Sequence, residues 1–169
     1  MRHSCFSSTG LRGTERMGDD IIVSIHSDQD MVVARAQSRS LADSLGFSRT
    51  EATLIATAVS EIARNILMHA GRGEISMRPL REDVRCGLIV VAQDSGPGIR
   101  DVSRAVESGF ASTGGLGLGL PGARRLMDEF EIESEPSEGT TVTMTKWRMR
   151  DDLERLRERR LRRAVDPGP

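Results

Sequence analysis

The sequence predicts an α+β fold, a two-layer sandwich in which one mixed sheet is covered on one face by three helices. Three observations point there. At 169 residues the chain is long enough to bury one hydrophobic core. Two segments of helical period fill the first half, and the period changes to that of strands after Gly71. The order of elements is βαα-ββ-(loop)-α-ββ, which separates into a helical layer and a sheet.

Taken in order, residues 1–17 are rich in Ser, Gly, Thr and Arg and are expected to be disordered. "DIIVSIHS" (20–27) reads as a strand. "DQDMVVARAQSRSLADSLGF" gives a helix running from a Ser/Asp cap region to Gly46. "SRTEATLIATAVSEIARNILMHAG" opens with a capping box, Ser48 three residues before Glu51. Its apolar stripe is Leu54, Ile55, Ala58, Ile62 and Ile66, and Gly71 stops it.

"GEISMRPL" (73–80) and "VRCGLIVVAQD" (84–94) follow as strands, the second apolar nearly throughout, as suits a central strand. "DVSRAVESGF" (101–110) is a short helix or helical turn, and "ASTGGLGLGL" (111–120) is too glycine-rich for a regular element. "PGARRLMDEF" is a helix with Pro121 in its first turn. "EIESEP" and "GTTVTMTKW" close as a pair of strands. Residues 18–147 therefore form one domain. Residues 148–169 form a tail in which 148–163 carry eight Arg against four acidic residues. Met149, Leu153, Leu156 and Leu161 fall on one helical face there, so the tail reads as an appended amphipathic helix.

Composition narrows the function. The chain is 37% apolar and 29% charged with a formal net charge of −1, so no charge imbalance selects nucleic acid or membrane as partner. Twenty-three of its 24 basic residues are Arg, which decides nothing. Cys86 lies inside an apolar run, far from Cys5, and reads as a buried free thiol suited to a reducing compartment. The N-terminal residues lack the apolar core of a signal peptide, and no apolar run approaches a membrane span. A cytoplasmic protein is expected.

Three motifs carry chemistry. Glu61 and Asn65 sit one helical turn apart at the edge of the apolar stripe, so their side chains reach one patch of space. A carboxylate can remove a proton from a hydroxyl, and a carboxamide oxygen is a hard ligand suited to Mg²⁺. Alone, the pair reads first as two polar residues bordering a stripe, a common arrangement. "DSGPGI" (94–99) leaves an apolar strand directly: Asp94 can accept from an exocyclic amine, and Gly96 and Gly98 permit close approach of a flat base. The same letters also make a good tight turn. In "TGGLGLGLPGARRL" (113–126), glycines 114, 115, 117 and 119 precede a helix whose free N–H groups can face phosphate. Gly117, Gly119 and Gly122 formally satisfy G-x-G-x-x-G, but no strand precedes them, and no Gly-Lys-Ser/Thr of a phosphate-binding P-loop is present. The loop also reads as a flexible surface segment.

Together, in this order and spacing, the three resemble the GHKL ATP-binding superfamily and its Bergerat sandwich, with a mixed, mostly antiparallel sheet. Within it, "SEIARNI", "HAGRGEI", "QDSGPGI", "GLGLPGARRLMDEFEI" and "GTTVTMTKW" look most like the serine-protein kinases of the stressosome switch, the RsbT type. The resemblance implies ATP and Mg²⁺, with Glu61 as catalytic base and Asn65 as metal and ATP ligand. It extends the ATP site to Asp94, Gly96, Gly98 and Ile99, to the loop residues Thr113, Gly114, Gly115, Leu116, Gly117, Leu118 and Gly119, and to Thr140 or Thr141. It implies a lid over 108–119, ordered with nucleotide and loose without. It implies STAS-domain substrates and, on release, activation of a PP2C-type phosphatase, with oligomeric state left open. Two other readings share the motifs: an anti-sigma factor that phosphorylates its antagonist, and a nucleotide-binding domain without catalysis.

Overall fold

The computed structural model describes residues 15–16, 20–82, 84–107 and 119–151, with 153–154, 156–157 and 160 of the tail. Its strands are β1 (Glu15–Arg16), β2 (Ile21–Ile25), β3 (Gly73–Arg81), β4 (Arg85–Asp94), β5 (Glu129–Glu135) and β6 (Gly139–Met149). Its helices are α1 (Asp28–Ser44), α2 (Arg49–Asn65), α3 (Val102–Glu107) and α4 (Gly119–Leu126), and a π-helical turn (Ile66–Ala70) extends α2. The sheet order is β1-β3-β4-β6-β5, and β2 shares the β3 edge with β1. Every described ladder is antiparallel, where a mixed, mostly antiparallel sheet is expected from the sequence.

The helix starts are set by side chains. Ser27 caps α1 by accepting from the Asp30 N–H, and Asp30 reaches back to the His26 N–H at 3.0 Å. The α2 capping box forms as expected: the Ser48 N–H donates to Glu51 Oε2 at 2.8 Å and the Glu51 N–H to Ser48 Oγ at 3.2 Å. These bonds favour the ionised form and hold the Glu51 carboxyl below its ordinary range. The buried face of α2, Ile55, Ala58, Val59 and Ile62, packs in one core with Ile75, Met77, Leu88, Val90, Ala92, Val142 and Met144 from the strands. Leu54, expected in that stripe, is half-buried. Small residues on α1 (Ala34, Ser38, Ala42) are buried in full, which lets the helical layer close up.

Because strand side chains alternate between faces, Ile89 and Val91 point away from the helices and join Leu80 and Trp147 in a second, smaller cluster. Cys86 is buried with its thiol 3.8 Å from the Leu45 carbonyl, and burial pushes that thiol's pKa up, as an inert core cysteine requires. Cys5 lies outside the described residues. Among those residues no helix is long and apolar enough to cross a membrane.

Four boundaries move. Residues 15 and 16, expected to be disordered, pair with Arg81 and Leu80 of β3. Helix α4 begins at Gly119 and ends at Leu126, and Phe130, placed in a helix by the sequence, lies in β5 facing the core. The tail does not begin at 148: Arg148 and Met149 complete β6 opposite Cys86 and Arg85. Arg150 is buried, its N–H donating to the Val84 carbonyl at 3.0 Å and its Nη1 to the Glu82 carbonyl at 3.2 Å. Met149 is thus a strand residue and not part of a tail helix, and Leu161 lies outside the described residues.

Candidate functional site

A cavity of about 480 Å³ opens where the end of α2 and the π turn face the ends of β4 and β6, with α3 and the start of α4 closing its sides. Its walls are largely apolar, from Ile62, Ile66, Ala92, Leu120 and Val142. A few polar groups converge on it: Asn65, His69, Asp94, Asp101, Arg104 and Thr140. An apolar slot with a few directed polar groups suits a flat heteroaromatic ligand.

Asp94 ends β4, in register with Thr140 of β6 and Gly73 of β3. Its Oδ1 accepts from the Gly96 N–H at 2.8 Å, which fixes the carboxylate and leaves Oδ2 for an outside donor. The loop that follows is held against the β5–β6 hairpin. The Ser134 Oγ accepts from the Ile99 N–H at 2.8 Å, donates to the Gly139 carbonyl at 2.8 Å and lies 3.0 Å from Thr140 Oγ1. The Ser137 N–H donates to the Pro97 carbonyl at 2.8 Å. Such an approach needs glycine at two places. Gly98, at φ 70°, lies on the Glu135 carbonyl, and Gly139, at φ 96°, lies on the carbonyl of Asp94 itself, so a Cβ at either would collide with backbone. A Cβ at Gly96 would come within 2.7 Å of Ala70 Cβ.

The opposite wall is built differently. Glu61 is 6% exposed and lies behind the cavity wall; its Oε2 accepts from the Gly119 N–H at 3.0 Å, at the positive end of α4. Asn65, one turn on, lines the cavity with its Nδ2 buried and unpartnered. An unpaired buried polar atom costs about 1–3 kcal/mol, which a ligand relieves. Turned by 180°, the same carboxamide presents its oxygen. Among the described residues no three His, Cys, Asp or Glu cluster to hold a metal. The Asn65 carboxamide oxygen, facing the cavity, is a donor that fits a cation like Mg²⁺, which takes one or two protein ligands and the rest from phosphate and water.

Of the expected site residues, Asn65, Asp94, Gly98, Ile99, Gly119 and Thr140 line one cavity, with Gly96 and Glu61 directly behind it. Thr141 does not join them: it pairs with Gln93 and alternation sends it to the other face. Thr113, Gly114, Gly115, Leu116, Gly117 and Leu118, with the expected lid at 108–118, lie outside the described residues. Three positions went unread in the sequence. His69 continues the Glu61–Asn65 spacing by one more turn and lines the cavity. Ser134 is a polar residue where Phe130 and Ile132 set an inward apolar alternation. Gly139 stands at the turn before "TTVTM".

Residues 26–146 match the family model described as the histidine kinase-like ATPase domain. The chain belongs to that family. As a histidine kinase-like ATPase it is 44% identical over 131 residues to the serine/threonine-protein kinase RsbT of Bacillus subtilis (strain 168), covering 78% of this chain and 98% of the relative. It is also 32% identical over 127 residues to an anti-sigma F factor of Caldanaerobacter subterraneus subsp. tengcongensis, covering 73% and 89%. An anti-sigma F factor of Bacillus licheniformis is 33% identical over 103 residues, 57% of this chain and 69% of the relative. By this likeness the histidine kinase-like ATPase is a serine/threonine-protein kinase of the RsbT kind, and it uses ATP.

Proposed function

We propose that the cavity binds ATP and that the chain transfers its γ-phosphoryl group to a serine or threonine of a STAS-domain protein in the cytoplasm. The reading rests on one observation: an oriented Asp94 carboxylate and an unpartnered Asn65 carboxamide face the same cavity, with the Glu61 carboxylate one turn behind Asn65. Asp94 Oδ2 accepts from the adenine amino group, with Thr140 beside it and Ile99 and Gly98 against the ring. The resemblance assigns the phosphates to the loop residues 113–118, which lie outside the described residues. Mg²⁺, held by Asn65, neutralises charge on the phosphates when bound.

Glu61 acts as base. The Gly119 N–H holds Oε2, and Oε1 takes the proton from the substrate hydroxyl as that oxygen forms its bond to the γ-phosphorus. The bond from phosphorus to the bridging oxygen breaks, ADP leaves, and Glu61 returns its proton to water. Most of the work is positioning, so the partner must seat its hydroxyl against Glu61. Release from phosphorylated partners frees the kinase to activate a PP2C-type phosphatase. A pull-down with radiolabelled ATP tests this reading, since it reports the bound protein and its phosphorylation together; no labelled STAS protein in the captured material overturns it.

The likeness to anti-sigma F factors supports a second reading, in which the chain binds a sigma factor and phosphorylates that factor's antagonist. Recovery of a sigma factor in the same pull-down, in place of STAS proteins or a phosphatase, selects it.

A further inference from the structure

A triphosphate is a dense anion, and the walls of this cavity are largely apolar, so few groups can hold it. Several N–H groups in or behind those walls are already engaged. Asp94 takes the Gly96 N–H, and Ser134 takes the Ile99 N–H. At the start of α4, the Gly119 N–H goes to Glu61, and Pro121 has none to give. The positive end of that helix is thus spent in large part on a carboxylate of the protein itself. The sequence between α3 and α4 adds no cation either: residues 108–118 hold no Lys, Arg or His.

Side-chain charge is just as sparse. Among the described residues that line the cavity, those that ionise are Asp94, Asp101, His69 and Arg104. Two are acids, and of the two bases only the guanidinium is charged at every physiological pH. Helix α3 sets where that charge stands. Asp101, Arg104 and Ala105 line the cavity at the spacing of one helical face. The Arg104 N–H donates to Asp101 Oδ1 at 2.9 Å, and the Ala105 N–H to the Asp101 carbonyl at 3.0 Å. These bonds fix the first turn of α3. Arg104 itself is exposed, which places it at the mouth of the cavity and not on its floor. It reaches the ligand from a different element than the one that carries Asn65 and His69.

Resting on the reading of this cavity as an ATP site, we propose that Arg104 grips the phosphates of the nucleotide from α3. A guanidinium suits the task, because its planar fork meets two phosphate oxygens at once. Asp94 then recognises the adenine, Asn65 holds the metal, and Arg104 tells a phosphorylated adenosine from a bare one.

The test is calorimetric titration of the full chain with adenosine, ADP and ATP in the presence of Mg²⁺. It compares the wild type with Arg104→Gln, Arg104→Lys and Asp94→Asn. Arg104→Gln is expected to weaken ADP and ATP by about tenfold or more and to leave adenosine unchanged. Arg104→Lys keeps a point charge without the fork, so it falls between Arg104→Gln and the wild type. Asp94→Asn weakens all three ligands. Circular dichroism and denaturant unfolding of the Arg104 variants match the wild type, because the side chain is exposed.

Equal affinity of the wild type and Arg104→Gln for ADP and ATP overturns the proposal. So does a parallel loss of adenosine, which makes Arg104 a support for the shape of the pocket. Transfer to the partner protein that falls while nucleotide affinity holds also overturns it, and assigns Arg104 to the docked protein. The ATP reading fails in a different way, and takes this proposal with it: none of the three ligands binds the wild type, or Asp94→Asn binds all three as the wild type does.

Discussion

The two walls of the cavity proposed to bind nucleotide are built on opposite plans. On the hairpin wall, two hydrogen bonds tie the 95–99 loop to the β5–β6 hairpin, a third fixes the Asp94 carboxylate on the Gly96 N–H, and two glycines press backbone on backbone. On the helical wall, one described hydrogen bond, Gly119 N–H to Glu61, ties α2 to the start of α4, and Asn65 has a buried donor without a partner. A recognition surface gains affinity from being fixed before the ligand arrives. A surface that carries groups in motion during phosphoryl transfer must be able to let go. On the proposed reading the hairpin wall is fixed in advance for the adenine, while the helical wall carries both the Asn65 contact to Mg²⁺ and phosphate and the Glu61 base.

That division can be broken by experiment. The largest effect is expected at Glu61: Glu61→Gln lowers phosphoryl transfer by about 10²–10⁴-fold, the usual share of a general base, while calorimetry finds ATP affinity changed by little. Transfer that survives the substitution removes Glu61 as base. Asp94→Asn does the reverse, since an amide donates where the carboxylate accepts. A charged hydrogen bond is worth about 1.5–3 kcal/mol, so ATP binding falls by roughly 10–100-fold, read by the same titration. Gly139→Ala forces a Cβ into the Asp94 carbonyl and destabilises the fold by about 1–3 kcal/mol, seen in denaturant unfolding. Ser134→Ala is milder: loss of a bridging hydroxyl costs about 1 kcal/mol and appears as weaker ATP binding with an unchanged rate at saturation. A Ser134→Ala enzyme slowed at saturating ATP would show that the two walls are not independent.

The smallest effect lies outside the site and depends on pH. Arg148 foremost, with the Asp151 N–H, holds the Glu154 carboxyl below its ordinary value of 4.5. A carboxyl depressed by folding lends stability above its unfolded pKa and loses it as pH falls through the folded one. The clasp is therefore whole at neutral pH and opens under acid, below about 4.5. Thermal midpoints of the wild type and Glu154→Gln should differ slightly at pH 7 and converge below that pH.

Much of this was legible in the sequence because it is local or strictly spaced. Glu61 and Asn65 are separated by one helical turn, the Ser48–Glu51 box by three residues, and Asp94 follows its own apolar strand. What escaped reading is held by distant pairs. Ser134 meets Ile99 across 35 residues, and no local pattern announces that meeting. The π turn of Ile66–Ala70 has the composition of ordinary helix, and it carries His69 onto the cavity wall. The tail boundary went astray for a physical reason. Arg148 and Arg150 look like the opening of a charged run, but each has a backbone carbonyl waiting for it, at Leu45 and at Glu82. The glycine loop was legible as a motif while its geometry stays outside the described residues.

Trp147 gives the molecule a built-in optical character. It is the sole tryptophan of a chain with no tyrosine, so the intrinsic near-ultraviolet emission comes almost wholly from one indole. That indole lies under the Arg85 guanidinium, 3.9 Å from it to the ring centroid, with its Nε1–H donated to Glu129 at 2.8 Å. It stands seven residues along β6 from Thr140, roughly 23 Å at strand rise. The chain's own light therefore reports on the end of the sheet where the tail departs, the far end of β6 from the cavity.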